Sequence, residues 1–164
     1  MRAIGLDPGT ATTGYGVVEG KGTRLRYVAH GAIRTPAKTH FALRLRTIFE
    51  EVTALLDSYK PDVVAIEKLY FSQNVTTGIA VAQARGVIAL AAAQAGLPIG
   101  EFSPLEVKNA VVGYGKAEKR QVQEMVKILL NLTAPPRPDD AADALALAIC
   151  QLHAGIPASQ PNGD

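Results

Sequence analysis

The 164-residue chain has no tryptophan, one cysteine, two methionines and an aromatic share of only 5%. The single thiol, Cys150, excludes an internal disulfide, and its place in an apolar helical run marks it as buried and inert. His30, His40 and His153 are scattered, and no Cys/His group has zinc-ligand spacing. Charge of one sign is lacking too: 17 Lys+Arg against 15 Asp+Glu leave +2, with a pI of ≈ 8.7. That balance permits nucleic-acid binding without arguing for it, because the clustering of charge matters more than its sum. Long hydrophobic runs are missing as well. The most apolar stretch, Val75–Gly100, is interrupted by Gln83, Arg85 and Gln94, short of the roughly 18 apolar residues that mark a membrane span. The start, MRAIGLDPGT, reaches an acid and a proline too soon for a secretory signal. The expectation is a cytoplasmic protein without membrane segments.

With 48% hydrophobic and 20% charged residues, the composition is that of a compact chain with a real core. One domain over residues 1–154 is expected, with residues 155–164 a flexible tail. The first third reads as a three-stranded meander: Ala3–Asp7, Gly14–Glu19 and Leu25–Arg34, with Gly20-Lys21-Gly22 as a turn. The period then changes. Phe41, Leu45, Ile48, Phe49, Val52, Leu55, Leu56 and Tyr59 form one helical face that Pro61 ends. Val63–Glu67 reads as a buried parallel strand, 74–95 as a helix rich in Ala and Gly, and Pro98–Phe102 as a fifth strand. Ser103-Pro104-Leu105-Glu106 carries a helix-start signature. A helix bearing Val122, Met125, Val126 and Leu129 inward follows, then a proline elbow and a last helix near Asp139–His153. Strands followed by alternating strand and helix imply a mixed α/β sheet.

Acids occupy the ends of these elements. Asp7 and Glu67 each close an apolar strand, where α/β sheets gather functional groups. If the two strands are neighbours, the carboxylates lie side by side. Asp140 and Asp143 share a helix face, but so do Asp139 and Asp143, and spacing alone does not choose between Asp139 and Asp140. Hard oxygen donors from separate elements suit Mg²⁺ or Mn²⁺ and phosphoryl transfer. Each acid also has a plainer role: Asp7 as a turn residue, Glu67 as a solvated strand end, Asp139 as a helix cap. Asp143, set between Ala141-Ala142 and Ala144-Leu145, is harder to explain away, because an unpaired carboxylate on so apolar a helix is costly.

Five ordered segments resemble the RuvC family of Holliday junction resolvases. They are IGLDPGTATTGYGVV (Ile4–Val18), AIEKLYFSQN (Ala65–Asn74), AVAQARGV (Ala80–Val87), VKNAVVGYGKAEKRQVQEMV (Val107–Val126) and DAADALALAI (Asp140–Ile149). The resemblance implies a ribonuclease H-like mixed five-stranded sheet flanked by helices. It implies an endonuclease that resolves four-way DNA junctions by paired, symmetric hydrolysis, leaving ligatable 5′-phosphate and 3′-hydroxyl ends. Asp7, Glu67, Asp140 and Asp143 would be the catalytic metal-binding acids, the D-A-A-D pattern selecting Asp140, with two Mg²⁺ ions for which Mn²⁺ can substitute. Lys108 and Lys119 would approach the scissile strand.

In that family an aromatic in the loop after the strand-ending glutamate stacks on junction bases. Tyr70 holds that position here, Phe71 follows it, and Lys68 stands beside them for a phosphate contact. The small-residue helix 74–95, apolar nearly all round, reads either as deep core or as packed on both the sheet and a twin subunit. The resemblance favours the homodimer, and implies RuvA and RuvB as partners. Lys108, Lys116, Lys119, Arg120 and Lys127, interleaved with Glu106, Glu118 and Glu124, read either as a solvated, salt-bridged helix pair or as a phosphate-tracking wall beside the acids, which the resemblance at Lys108 and Lys119 favours.

Overall fold

A computed structural model describes residues 1–21, 23–69 and 75–157. Its elements run β1 (Arg2–Asp7), β2 (Thr12–Lys21), β3 (Arg24–Arg34), α1 (Phe41–Tyr59), β4 (Val63–Glu67), α2 (Val75–Gln94), β5 (Ile99–Phe102), α3 (Pro104–Val111), α4 (Lys119–Leu129) and α5 (Asp139–Ala154). The five strands form one sheet in the order β3-β2-β1-β4-β5. β1 to β3 are antiparallel, as a meander requires, while β4 and β5 lie parallel to β1. The mixed α/β sheet expected from the sequence is present.

Strand parity sorts the residues into two cores. Ile4, Leu6, Val17, Val64 and Ile66 pack with Ile48, Val52 and Leu56 of α1 and with Ala84, Ile88, Ala91 and Ala92 of α2. Ala3, Val18, Val63 and Ala65 point the other way, against α3, α4 and α5. Continued to the strand ends, the same alternation turns Asp7 and Glu67 toward the α5 face. β1 and β4 are neighbours with Leu6 opposite Ile66, so the two carboxylates stand side by side.

That face is lined with small residues for a reason. A Cβ on Gly5 would lie 1.9 Å from the Ala144 carbonyl oxygen, one on Gly14 2.1 Å from that of Asp140, and one on Gly16 2.6 Å from the Leu145 nitrogen. The α5 backbone therefore rests directly on β1 and β2. From Ala141 to Leu152 every α5 residue is buried except Asp143. Cys150 is among the buried ones, and burial, with the Glu106 charge adding, pushes its thiol up to about 12. It is inert, as expected.

Local signals mostly act as read. Ser103 and Glu106 form the capping box of α3: Glu106 N donates to Ser103 Oγ at 3.1 Å, and Ser103 N to Glu106 Oε2 at 2.6 Å. Val122 and Val126 of α4 are buried, with Met125 and Leu129 packed beside them. Two expectations fail. Phe41 is 56% exposed rather than part of the inward face, because it begins α1 beyond the edge of the core. Asp139 does not cap α5: Pro138 occupies that position, and Asp139 is already inside the first turn.

Gly5→Ala should cost about 1–3 kcal/mol through overpacking against α5, read as a lowered midpoint in urea. An unchanged midpoint would mean that α5 can withdraw from the sheet freely.

Candidate active site

Three structural elements bring the acids together. β1 and β4 deliver Asp7 and Glu67 at their carboxyl ends. The close seat of α5 on Gly14 and Gly5 delivers Asp140 and Asp143 from its first turns. Carboxylate oxygens of Asp7, Asp140 and Asp143 lie within 4.8 Å of one another. Glu67 joins Asp7 and Asp143 in lining a cleft of ≈ 240 Å³, whose other wall carries Lys108 and Lys119. An adjoining cleft of ≈ 250 Å³ shares Asp7 and Glu67 and adds Lys68, Leu69 and Arg85.

The turn after Asp7 is held without using its carboxylate. Thr13, fully buried, donates its hydroxyl to the Gly9 carbonyl at 2.6 Å. Thr35 donates its own to the Thr10 carbonyl, and its backbone N–H to that of Ala11 at 3.1 Å. Asp7 is thus free for other work, and its plainer role as a turn residue is not needed. Asp139 is turned away: Arg137 donates to it at 2.7 Å and Gln123 at 3.2 Å. Structure therefore agrees with Asp140, not Asp139, as the member of the acid cluster, a choice that spacing left open.

Packing carboxylates this way raises their proton affinity. Burial first, then the charges of Asp143, Asp140 and Glu67, push the Asp7 carboxyl from 3.8 up to about 8. Glu67 is raised by burial and by Asp143, against the pull of Lys108. Asp143 is also raised by burial, with Lys119 opposing and Asp140 and Asp139 adding. Lys119 Nζ stands 3.6 Å from Asp143 and 3.7 Å from Asp139. Asp143 chiefly, against the lysine's own partial desolvation, holds that ammonium above its ordinary value. One lysine does not balance this many acids. Clustered, half-desolvated carboxylates with hard oxygen donors fit Mg²⁺ or Mn²⁺.

Lys68 is occupied by Glu106 at 3.3 Å. Tyr70 and Phe71 lie outside the described residues. Sequence reasoning passed over Thr13, Thr35, Gln123 and Arg137, whose roles depend on contacts across 4 to 25 residues or on orienting Asp139 away. It also passed over Arg85, whose Nε donates to the Glu67 carbonyl at 3.3 Å while its guanidinium pairs with Glu101. The AIEKLY and QARG segments are thereby tied together.

A family model described as crossover junction endodeoxyribonuclease RuvC matches residues 3–151. The chain is 58% identical over 153 residues to the crossover junction endodeoxyribonuclease RuvC of Heliobacterium modesticaldum, covering 93% of this chain and 94% of that protein. Against the Rubrobacter xylanophilus protein of the same name it is 58% identical over 147 residues, covering 90% and 82%. Among solved structures, T. thermophilus RuvC in complex with Holliday junction substrate superposes with a TM-score of 0.87 at 34% identity, over 92% of each chain. The yeast mitochondrial Holliday junction resolvase Ydc2 matches with a TM-score of 0.66 at 13% identity, over 92% and 78%, and shares the fold alone.

Because the folded value for Asp7 lies above the unfolded one, its contribution to stability is complete below about pH 4 and is lost as pH rises through about 8. Metal-free protein should therefore melt lower at pH 8 than at pH 6, and Asp7→Asn should flatten that slope. A divalent cation such as Mg²⁺, taken up among these oxygens, would have to displace the same proton. Its affinity should rise by up to about tenfold per pH unit and level off above pH 8, as read by calorimetric titration.

Proposed function

The chain belongs to the RuvC family of crossover junction endodeoxyribonucleases, and on that premise we propose that it resolves four-way DNA junctions by paired, metal-dependent hydrolysis. The observation that carries this reading is the convergence of β1, β4 and α5 acids in one cleft faced by Lys108 and Lys119. A single nuclease domain, residues 1–154, acts on DNA in the bacterial cytoplasm.

Asp7, Glu67, Asp140 and Asp143 hold two Mg²⁺ ions, with Mn²⁺ able to substitute. When bound, such a pair lowers the pKa of a water and neutralises charge on the leaving oxygen. The four carboxylates fix the geometry because three rigid elements present them. Lys119, beside Asp143, neutralises and orients the scissile phosphate, and Lys108 meets the strand from the opposite wall. Lys68 contacts a phosphate by exchanging its Glu106 partner for DNA. Tyr70 or Phe71 stacks on a junction base, for which any aromatic face suffices. In-line attack by water leaves a 5′-phosphate and a 3′-hydroxyl.

The acting unit is a homodimer through α2. Only Ala84, Ile88, Ala91 and Ala92 of this helix are buried in the monomer, so the sheet covers one stripe rather than several sides. Ile79, Gln83, Gly86 and Leu90 recur at helical spacing on another stripe, with Ile79 50% and Leu90 52% exposed. α2 is also apolar enough by composition to cross a membrane, but its packing on the sheet and the Arg85 contacts make it an integral helix of the domain. An exposed apolar stripe of this kind suits a twin copy. Two-fold symmetry then sets two clefts against opposing strands of a four-way junction. RuvA and RuvB are the branch-migration partners.

A labelled mobile four-way junction, incubated beside a linear duplex of the same sequence, tests the function. Symmetric, ligatable cuts confined to the junction should appear with Mg²⁺ or Mn²⁺ and vanish with chelator. Asp7→Asn should lower the single-turnover rate at least ~100-fold, since even residues supporting metal ligands are worth 10- to 100-fold. Equal cutting of the linear duplex would defeat the junction reading. Lys119→Ala should slow cleavage more than binding; a wild-type single-turnover rate would remove its role at the phosphate.

For the dimer, Leu90→Glu should shift sedimentation toward the monomer and uncouple the two incisions. Ala84→Glu is not a usable test, because Ala84 is fully buried against the sheet. A Leu90→Glu protein that remains dimeric would place the subunit contact elsewhere.

A further inference from the structure

Between Glu19 and Glu50 the chain has no acidic residue and seven lysines and arginines, against a chain total of only +2. The rest of the chain is therefore net negative, and the positive surplus is concentrated in β3, the following loop and the start of α1. Two of these cations are neutralised locally: Arg26 by Glu19, and Arg46 by Glu50 at 3.8 Å. Arg34, Lys38 and Arg44 have no acidic partner among the described residues, and Arg34 and Lys38 are exposed. Surplus cations left unpaired together mark a surface that meets a polyanion.

Topology puts these three at the catalytic end of the sheet. Arg34 pairs with Thr12, at the strand end where β1 finishes in Asp7. Ala32 pairs with Gly14, whose open face receives the Asp140 carbonyl, and Arg34, two residues on, shares that face. Arg44 is fastened to the same region: its Nε donates to Thr35 Oγ1 at 2.8 Å, and Thr35 donates onward to the loop that follows Asp7. Lys38 lies between them in sequence, next to His40 and the exposed Phe41, whose rings stand 4.8 Å apart. This cluster is separate from Lys108 and Lys119, which come from α3 and α4 beyond the acids.

We infer that Arg34, Lys38 and Arg44 form a phosphate track that receives a duplex arm of the junction as it leaves the acid cleft past Asp140. The inference rests on the junction-resolving function proposed above and adds the route of an arm to it. The physical need is plain. The cleft itself is rich in carboxylates that repel DNA, while a duplex carries one negative charge per roughly 1.7 Å of axis. Cations on the outer side of the acids offset that repulsion where the arm emerges. Arg44, held by Thr35, would also keep the track in register with the loop behind Asp7.

The test is equilibrium binding of a four-way junction by the full-length protein without divalent metal, across a series of salt concentrations. Each phosphate contact contributes about 0.9 to the slope of log affinity against log salt. Arg34→Ser with Lys38→Ser should therefore reduce the slope by about 1.8. Single-turnover cleavage at saturating protein should stay at the wild-type rate, because neither residue touches the scissile phosphate. Arg34→Lys should restore its share of the slope. Lys21→Ser with Arg24→Ser, a cross-strand pair at the far end of β3, removes an equal charge and should leave the slope unchanged. If the double variant keeps the wild-type slope while still cutting junctions, the track is overturned alone, and the patch is left for an acidic protein partner. An equal loss from Lys21→Ser with Arg24→Ser would reduce the effect to overall charge and overturn the track as well. If wild-type protein does not bind the junction, both the track and the proposed function fall.

Discussion

The approach of α5 to the sheet without intervening side chains is the constraint on which the site depends. Gly5, Gly14 and Gly16 supply no Cβ, and Ala141, Ala144 and Ala148 supply little bulk from the other side. With ordinary side chains the helix would stand at the usual separation for side-chain packing, several ångströms further out. Asp140 and Asp143 would then be too far from Asp7 to share a ligand. Helix and sheet are rigid, so fixing their separation fixes the distances between carboxylates that are 73 to 136 residues apart in the chain. The small residues on this face thus serve the geometry of the acids as well as the core.

Such an arrangement is unfavourable by itself. Acids gathered in a partly desolvated cleft repel one another, and Asp7 responds by holding a proton near neutral pH. Lys119 relieves part of the repulsion from one side, and Lys108 acts on Glu67 from the other. A site left in this state is poised for divalent cations, which bring more positive charge into the space than a lysine can. The fold tolerates the cost because both cores, built on opposite faces of one sheet, are otherwise well filled. The ribonuclease H-like fold of this family is, in that sense, a device for holding like charges together.

The second sheet face serves a different end. There the contacts are bulky and aliphatic, and α1 and α2 are held by interlocking side chains rather than by backbone approach. α2 spends only one stripe on that core, and Arg85 links it to the backbone of Glu67. A helix whose free stripe suits a partner is therefore fastened to a strand that ends in a proposed metal ligand. The apolar composition of α2 suggested burial on several sides. In the monomer it is buried on one, because composition counts apolar residues without recording which neighbours exist to cover them.

Much of the fold was legible in the sequence. The change from period two to helical spacing at Phe41, the apolar runs closed by Asp7 and Glu67, and the Ser103–Glu106 capping box are local patterns, and local chemistry fixes them. The acids were legible as candidates for the same reason, since strand ends and a D-A-A-D helix start are visible along the chain. What the sequence could not decide by periodicity was which aspartate of the Asp139–Asp140 pair faces inward. Asp139 and Asp140 differ by about 100° around the helix axis, and only the seat of α5 on Gly14, with Arg137 and Gln123 drawing Asp139 outward, selects one. The adjacency of β1 and β4, the linkage through Arg85 and the gathering of Arg34, Lys38 and Arg44 at the catalytic end were likewise decided by tertiary structure. Each depends on contacts between distant segments, and distance along the chain carries no record of distance in space.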